Sequence, residues 1–305
     1  MKMILPLLAS ALMSLEACNP APEARVMARF VPERYDDFVF ENNLIAGRFY
    51  GEALESCGRG QLTSPGIDIW VKVPGALVCN QRYVDDLQNK KSYHKDWGNG
   101  KDCYKVSRTL GGGASSVLID GQLQMPATNF RSWEIVEEGP EKVVFVLNYP
   151  EWEVKGEKIS LSKKVTVVPD TYFCKVEDLW TFSGELGDTL PVAAGINRHP
   201  KQNTVEQELN GTDRYAIWEK ASDTGAEPED GMLGVAVIVP GAEQVLITED
   251  GVHGLVVKQV KSGEPLTYYF GSCWSKGNLK TAAEWFDEVA KECANPAEGG
   301  VSSNK

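Results

Sequence analysis

Apolar and polar residues alternate along most of this chain. The runs "DFVFEN" (37–42), "LIAGRFYG" (44–51), "IDIWVKV" (67–73), "SVLIDG" (116–121), "FRSWEIVEE" (130–138), "KVVFVLNY" (142–149), "KISLSKKVTVVP" (158–169), "YFCKVEDLWTF" (172–182), "GVAVIVP" (234–240), "GLVVKQV" (254–260) and "LTYYFGS" (266–272) are rich in Val, Ile, Phe, Tyr and Trp. A period of two marks strands with one buried and one wetter face. Turn pairs separate the runs: Gly139-Pro140, Lys155-Gly156, Pro169-Asp170, Pro240-Gly241, Asp250-Gly251 and Ser262-Gly263. The pattern predicts antiparallel sheets, with one wide hairpin around Pro169-Asp170. Long strands in this number predict a large two-sheet antiparallel β-sandwich rather than a small barrel.

The period changes near the C-terminus. In "NLKTAAEWFDEVAKEC" (278–293), Ala282, Trp285, Phe286, Val289 and Ala290 fall on one helical stripe, capped by Thr281 or Asn278. This predicts a C-terminal helix that packs Trp285 and Phe286 into the core. "NQRYVDDLQNK" (80–90) reads as a second, shorter helix. No repeat or long linker divides the chain, so residues 28–293 are expected to form one domain.

The N-terminus reads as a targeting segment. "MKMILPLLASALMSLEAC" has a basic start, a short apolar stretch and a small-residue cut site before Cys18. It predicts a signal peptide over 1–17, a tether over 18–27 and an exported protein, periplasmic or held at the outer membrane. Leu15-Glu16-Ala17-Cys18 resembles a lipobox, which would place a lipid on Cys18; a plain cut near Ala17 is the alternative. Residues 294–305 read as a disordered tail. The remaining six cysteines allow 15 disulfide pairings, and the sequence selects none. Cys174, inside a strand, reads as a buried thiol.

Charge narrows the partners. A formal net charge of -12 argues against nucleic acid and anionic membranes, which need a clustered basic face. It leaves room for a locally basic pocket, and such a stretch exists. "YHKDWGNGKDCYKVSRTLGGG" (93–113) holds one of three histidines, two tyrosines, three lysines and an arginine, with hardly an aliphatic residue. His94 suits proton transfer near neutral pH, Tyr104 can join it beside a cation, and Lys105 and Arg108 supply cations. Glycines 111–113 either admit a ligand close to the backbone or form a flexible turn. In "GIDIWVK", Asp68 and Lys72 share one strand face, either solvent-facing or flooring a cleft. Arg48, on another strand, offers a planar fork for a carboxylate. In "AAGINRHP" (193–200), Arg198 and His199 sit at a strand end. His253, after a turn, reads as a surface residue. Nucleotide loops, a GxSxG elbow and HExxH are absent from the sequence.

"FENNLIAGRFYG", "GIDIWVK" and "YHKDWGNGKDCYKV…GGGAS" together resemble a large family of exported bacterial proteins labelled as a domain of unknown function, whose members are often encoded in polysaccharide-utilisation loci. The resemblance spans roughly residues 30–290. It implies a galactose-mutarotase-like β-supersandwich and similarity to an ulvan oligosaccharide dehydratase. The implied activity is a carbon–oxygen lyase on uronic-acid-containing oligosaccharides. Arg48 or Arg198 would neutralise the uronate, His94 or Tyr104 would take the C5 proton, and His199 or Tyr104 would protonate the leaving oxygen. This chemistry requires no cofactor; Asp68, His94 and Asp102 could ligate a divalent cation, but at no diagnostic spacing. Two alternatives stand: a mutarotase or epimerase using His94 and His199, and a non-catalytic glycan-binding lipoprotein displaying Trp70, Trp97 and Trp133.

Overall fold

A computed structural model describes residues 23–58, 61–207, 211–222 and 230–296. The expected signal segment, Cys18 and the end of the expected tail lie outside the described residues. The first strands are β1 (Val26–Val31), β2 (Asp37–Asn42), β3 (Ala46–Phe49), β4 (Asp68–Lys72) and β5 (Gly100–Asp102), with helix α1 (Cys79–Asn89) between β4 and β5. Next come β6 (Gly112–Ile119), β7 (Gln122–Leu123), β8 (Ser132–Glu138), β9 (Val143–Val154), β10 (Glu157–Val167) and β11 (Phe173–Phe182). The last are β12 (Thr189–Asn197), β13 (Val205–Glu206), β14 (Arg214–Lys220), β15 (Met232–Ile238), β16 (Gln244–Ile247), β17 (His253–Lys261) and β18 (Pro265–Trp274), then helix α2 (Ala282–Ala294).

These strands form three antiparallel sheets. One has eight strands in the order β13-β14-β15-β18-β11-β10-β9-β8; the others have five each, β1-β2-β3-β4-β5 and β16-β17-β12-β6-β7. A parallel bridge between Ile67, just before β4, and Gly111, just before β6, links the two five-stranded sheets. The molecule is therefore a large antiparallel β-sandwich, as its alternation predicts. The hairpin around Pro169-Asp170 is β10–β11, paired from Ile159 with Phe182 to Thr166 with Lys175.

Phenylalanines glue the first five-stranded sheet to the eight-stranded one. Phe38 lies 4.6 Å from Phe145 and Phe40 lies 5.5 Å from Phe270, centroid to centroid. Removing such a buried ring costs about 3–5 kcal/mol. The glycine run serves this packing rather than a turn or a ligand. At Gly111 (φ 56°) a Cβ would meet Ile67 O at 2.4 Å, and at Gly113 (φ 141°) it would meet Phe270 Cβ at 2.3 Å. Both glycines let backbones approach where L side chains do not fit.

The outer face of the first sheet is not open. Val31, Val39, Ala46 and Trp70 form a second core there with Cys79 and Tyr83 of α1 and with Tyr93. Asp68, Trp70 and Lys72 point to this face, while Ile69 and Val71 join the main core. The polar side of "IDIWVK" is therefore roofed by α1 and the Tyr93 loop; it neither faces solvent nor floors a cleft. α2 starts with a capping box between Thr281 and Glu284 and buries Trp285 against Phe173, 5.6 Å away. Cys79, Cys174, Cys273 and Cys293 are free thiols, with Cys174 buried.

Candidate active site

Two polar clusters meet along the segment 102–105 that leaves β5. The first is centred on Arg48. Its Nε donates to Asp68 Oδ2 (2.8 Å), Nη2 to Asp102 Oδ2 (2.9 Å), and Nη1 to Asp37 Oδ2 (3.2 Å). The guanidinium lies 5.1 Å from the Trp70 ring and 5.3 Å from the Tyr93 ring. Register explains the convergence: Arg48 pairs with Asp68, and Asp102 pairs with Trp70, so all project to the outer face. Burial raises the Asp37 carboxyl to about 6, against the pull of Arg48. Arg48 is buried and its fork is taken by three carboxylates, so it is a structural hub rather than a seat for substrate. Asp68 is equally enclosed; its Oδ2 also accepts from Tyr50 OH (3.1 Å), and its buried Oδ1 meets no donor among the described residues. Lys72 is likewise withdrawn from any substrate: Nζ donates to Glu41 Oε1 (2.7 Å), Asn42 O and Ala76 O (both 2.8 Å).

His94 stands at the rim of this hub. Its side chain is 51% exposed, and Nδ1 lies 3.3 Å from Asp102 O and 3.6 Å from Asp102 Oδ2. With Nδ1–H directed at the Asp102 carbonyl, Nε2 is the basic nitrogen, and the Asp102 carboxylate lies beside the ring. Arg48 in turn holds Asp102 in place.

The second cluster is centred on His199. Nδ1 lies 2.6 Å from Glu219 Oε1, and Nε2 lies 2.7 Å from Lys105 O and 3.0 Å from Asn197 Nδ2. Glu219 is buried near the end of β14 and also accepts from Thr204 Oγ1 (3.0 Å). The Tyr104 ring packs edge-on against the imidazole, 4.9 Å away. Tyr104 does not fit the role of base expected of it. Its hydroxyl donates to Asn197 O (2.8 Å), and burial, with Glu219 nearby, pushes its pKa well above the ordinary tyrosine value. It positions His199 instead.

The two histidines thus attach to opposite ends of one short segment. Their carbonyl contacts, Asp102 O and Lys105 O, are three residues apart, which is at most about 11 Å. The Lys105 side chain is exposed on that segment. Arg198 is directed elsewhere: Nε donates to Glu206 Oε1 (2.7 Å), Nη2 contacts the same oxygen, and Nη1 donates to Gly251 O (2.7 Å). Arg108 also lies apart, donating to Thr63 O (2.9 Å) beside a separate cleft of about 580 Å³ that it lines with Met125, Asp250 and His253. His253 is buried rather than at the surface: Leu110 N donates to its Nε2 (3.2 Å), and burial lowers its pKa to about 4. Among the described residues, no three His, Cys, Asp or Glu side chains converge on a metal-sized site.

Sequence reading missed Glu219, because "RYAIWEK" was not among its strands. The signal lay in that apolar run ending in a lone carboxylate. Of the three tryptophans expected as glycan platforms, Trp70 is buried, while Trp133 (42% exposed, stacked on Phe30 at 5.3 Å) and Trp97 (50% exposed) both reach solvent.

Comparison with known proteins agrees with a family reading. The uncharacterized protein P7 of Formosa agariphila is 26% identical over 287 residues, covering 90% of this chain and 69% of that protein. A 4-alpha-glucanotransferase from Thermococcus litoralis superposes with a TM-score of 0.33 at 9% identity, over 83% of this chain and 40% of the other, too remote a likeness to carry an argument. A family model described as a domain of unknown function, DUF4861, matches residues 13–298, and the chain belongs to that family.

Proposed function

We propose that this protein is an exported carbon–oxygen lyase that performs β-elimination on uronic-acid-containing oligosaccharides. The observation that carries the reading is the pair of histidines at the two ends of the 102–105 segment, His199 hydrogen-bonded to Glu219 and His94 beside Asp102. In this reading His94 Nε2 takes the C5 proton of the uronate. The C4–O bond breaks, and His199 gives a proton to the departing oxygen. The products are an unsaturated uronate and water, or an unsaturated uronate and a shortened sugar. Lys105, exposed on the same segment, neutralises the carboxylate and stabilises the developing enolate, in place of Arg48 and Arg198, whose guanidiniums are taken by buried or neighbouring carboxylates. The resemblance of the sequence motifs implies an activity like that of an ulvan oligosaccharide dehydratase acting on a terminal uronate, encoded among polysaccharide-utilisation genes. A signal peptide, with a lipid on Cys18, would deliver the enzyme to the periplasm or outer membrane.

Mass spectrometry of products from a uronate oligosaccharide panel tests the reaction. A mass loss of one water, or paired fragments of which one is unsaturated, supports elimination. Unchanged masses with accelerated anomer exchange support a mutarotase using the same histidines. Unchanged masses and anomers with retained binding support a glycan-binding protein.

A further inference from the structure

The loop carrying His94 also carries a charged aromatic surface that the proposed chemistry does not use. Between residues 90 and 108 there are six basic residues and two acidic ones, in a chain of net charge -12. Trp97 lies in the middle of them. It is 50% exposed, yet it is pinned: Nε1 donates to Ser92 O (2.9 Å). Lys95 Nζ lies 4.7 Å from the centre of the indole ring and Lys91 Nζ 5.9 Å from it.

The loop beneath is built to hold its shape. Asp96 Oδ1 accepts from Gly98 N (2.8 Å) and Gly100 N (3.1 Å), and its Oδ2 accepts from Lys276 Nζ (2.9 Å). Ser92 ties this surface to the histidine, because its carbonyl receives the indole N–H while its hydroxyl accepts from His94 N (3.2 Å). The tether fixes the half-exposed indole in one orientation without burying it. A pinned indole flanked by ammonium groups suits a pyranose ring that stacks on the flat face and carries an anionic substituent.

We infer that Trp97, Lys91 and Lys95 form a second sugar subsite, which binds an anionic pyranose next to the one at His94. The inference rests on the proposed oligosaccharide substrate and adds where the rest of the chain lies. An ammonium over an exposed ring is held by about 0.5–1 kcal/mol, so it readily turns to meet a carboxylate or sulfate ester.

Calorimetric titration tests this without turnover. The full-length chain bearing His94→Ala is titrated with three oligosaccharides of one length: uronate-bearing, sulfate ester-bearing and neutral. Adding Trp97→Ala is expected to weaken binding of the anionic probes about tenfold, as for loss of one aromatic anchor. Lys91→Gln with Lys95→Gln is expected to weaken the anionic probes, leave the neutral one unchanged and flatten the salt dependence. A larger loss on the sulfated or on the carboxylate probe assigns the substituent, and either supports the subsite. Binding within twofold of the parent after Trp97→Ala, with all three probes, overturns it. The two ideas fail separately. Elimination with unaltered binding in Trp97→Ala removes the subsite alone, and Trp97-dependent binding without elimination removes the lyase reading alone.

Discussion

At the scale of single residues, the site depends on which polar groups are enclosed and which reach solvent. Arg48, Asp68 and Lys72 have the chemistry of a sugar-binding face, but each is buried with its partners. Alternation shows that these side chains share a strand face; it does not show whether a helix covers that face. His94 and His199 were legible as chemistry, because a histidine beside a strand end is conspicuous in a chain with three. Glu219 was not, since only the fold brings it to His199. His94→Ala should lower the elimination rate about 10²-fold or more, while stability changes by less than about 0.5 kcal/mol because the ring is exposed. Steady-state kinetics and urea unfolding check the two halves. Lys105→Gln should raise KM for uronate substrates and leave unfolding unaltered. His253 supplies a pH test. Its pKa falls from 6.5 to about 4 on folding, mainly through burial. The unfolded chain then binds more protons between about pH 6.5 and pH 4, so this stabilisation is complete above about pH 6.5 and is lost as pH falls toward 4. His253→Gln should remove up to about 3 kcal/mol of that acid dependence. Asp37, raised to about 6, works in the opposite direction, so the readout is the difference between parent and variant unfolding curves across the range.

At the scale of elements, strands were the most legible because their period of two spans whole hairpins. Helix α2 was equally clear from its stripe, and its cap is the expected Thr281. Thr281→Ala should cost about 1 kcal/mol, measurable as a lower urea midpoint. The glycine run misled for a physical reason: close approach to a ligand and close approach to another sheet both call for a missing Cβ. Gly113→Ala would drive a methyl against Phe270 at a φ that suits glycine, and should cost at least about 2 kcal/mol. One polar device stabilises the middle of the eight-stranded sheet. Lys163, fully buried on β10, donates to Asp178 Oδ1 at 2.8 Å and to Tyr268 OH at 2.9 Å. Asp178→Asn should cost about 3–5 kcal/mol, because it leaves a buried ammonium without its counter-charge.

At the scale of the whole molecule, the site exists because two sheets meet. The Ile67–Gly111 bridge links the five-stranded sheets, and the segment 102–105, with one histidine at each end, reaches it through Tyr104 OH, which donates to Gly111 O. A linear pattern predicts sandwich architecture from strand number and length, but not the order of strands in a sheet, and it is the folded arrangement that sets His94 and His199 against the two ends of one segment. The acidic surface with a basic loop at this seam fits an anionic glycan, and the outcome rests on chemistry at the uronate. The most direct measurement is the ultraviolet absorbance of the conjugated unsaturated uronate, followed while the parent protein, His94→Ala and His199→Ala each act on the same uronate oligosaccharides. A rise with the parent that both variants abolish, each still folded by circular dichroism, is the predicted result. No rise with the parent across carboxylate-bearing and sulfated substrates, or an undiminished rise with both variants, would contradict the assignment of this histidine pair to elimination.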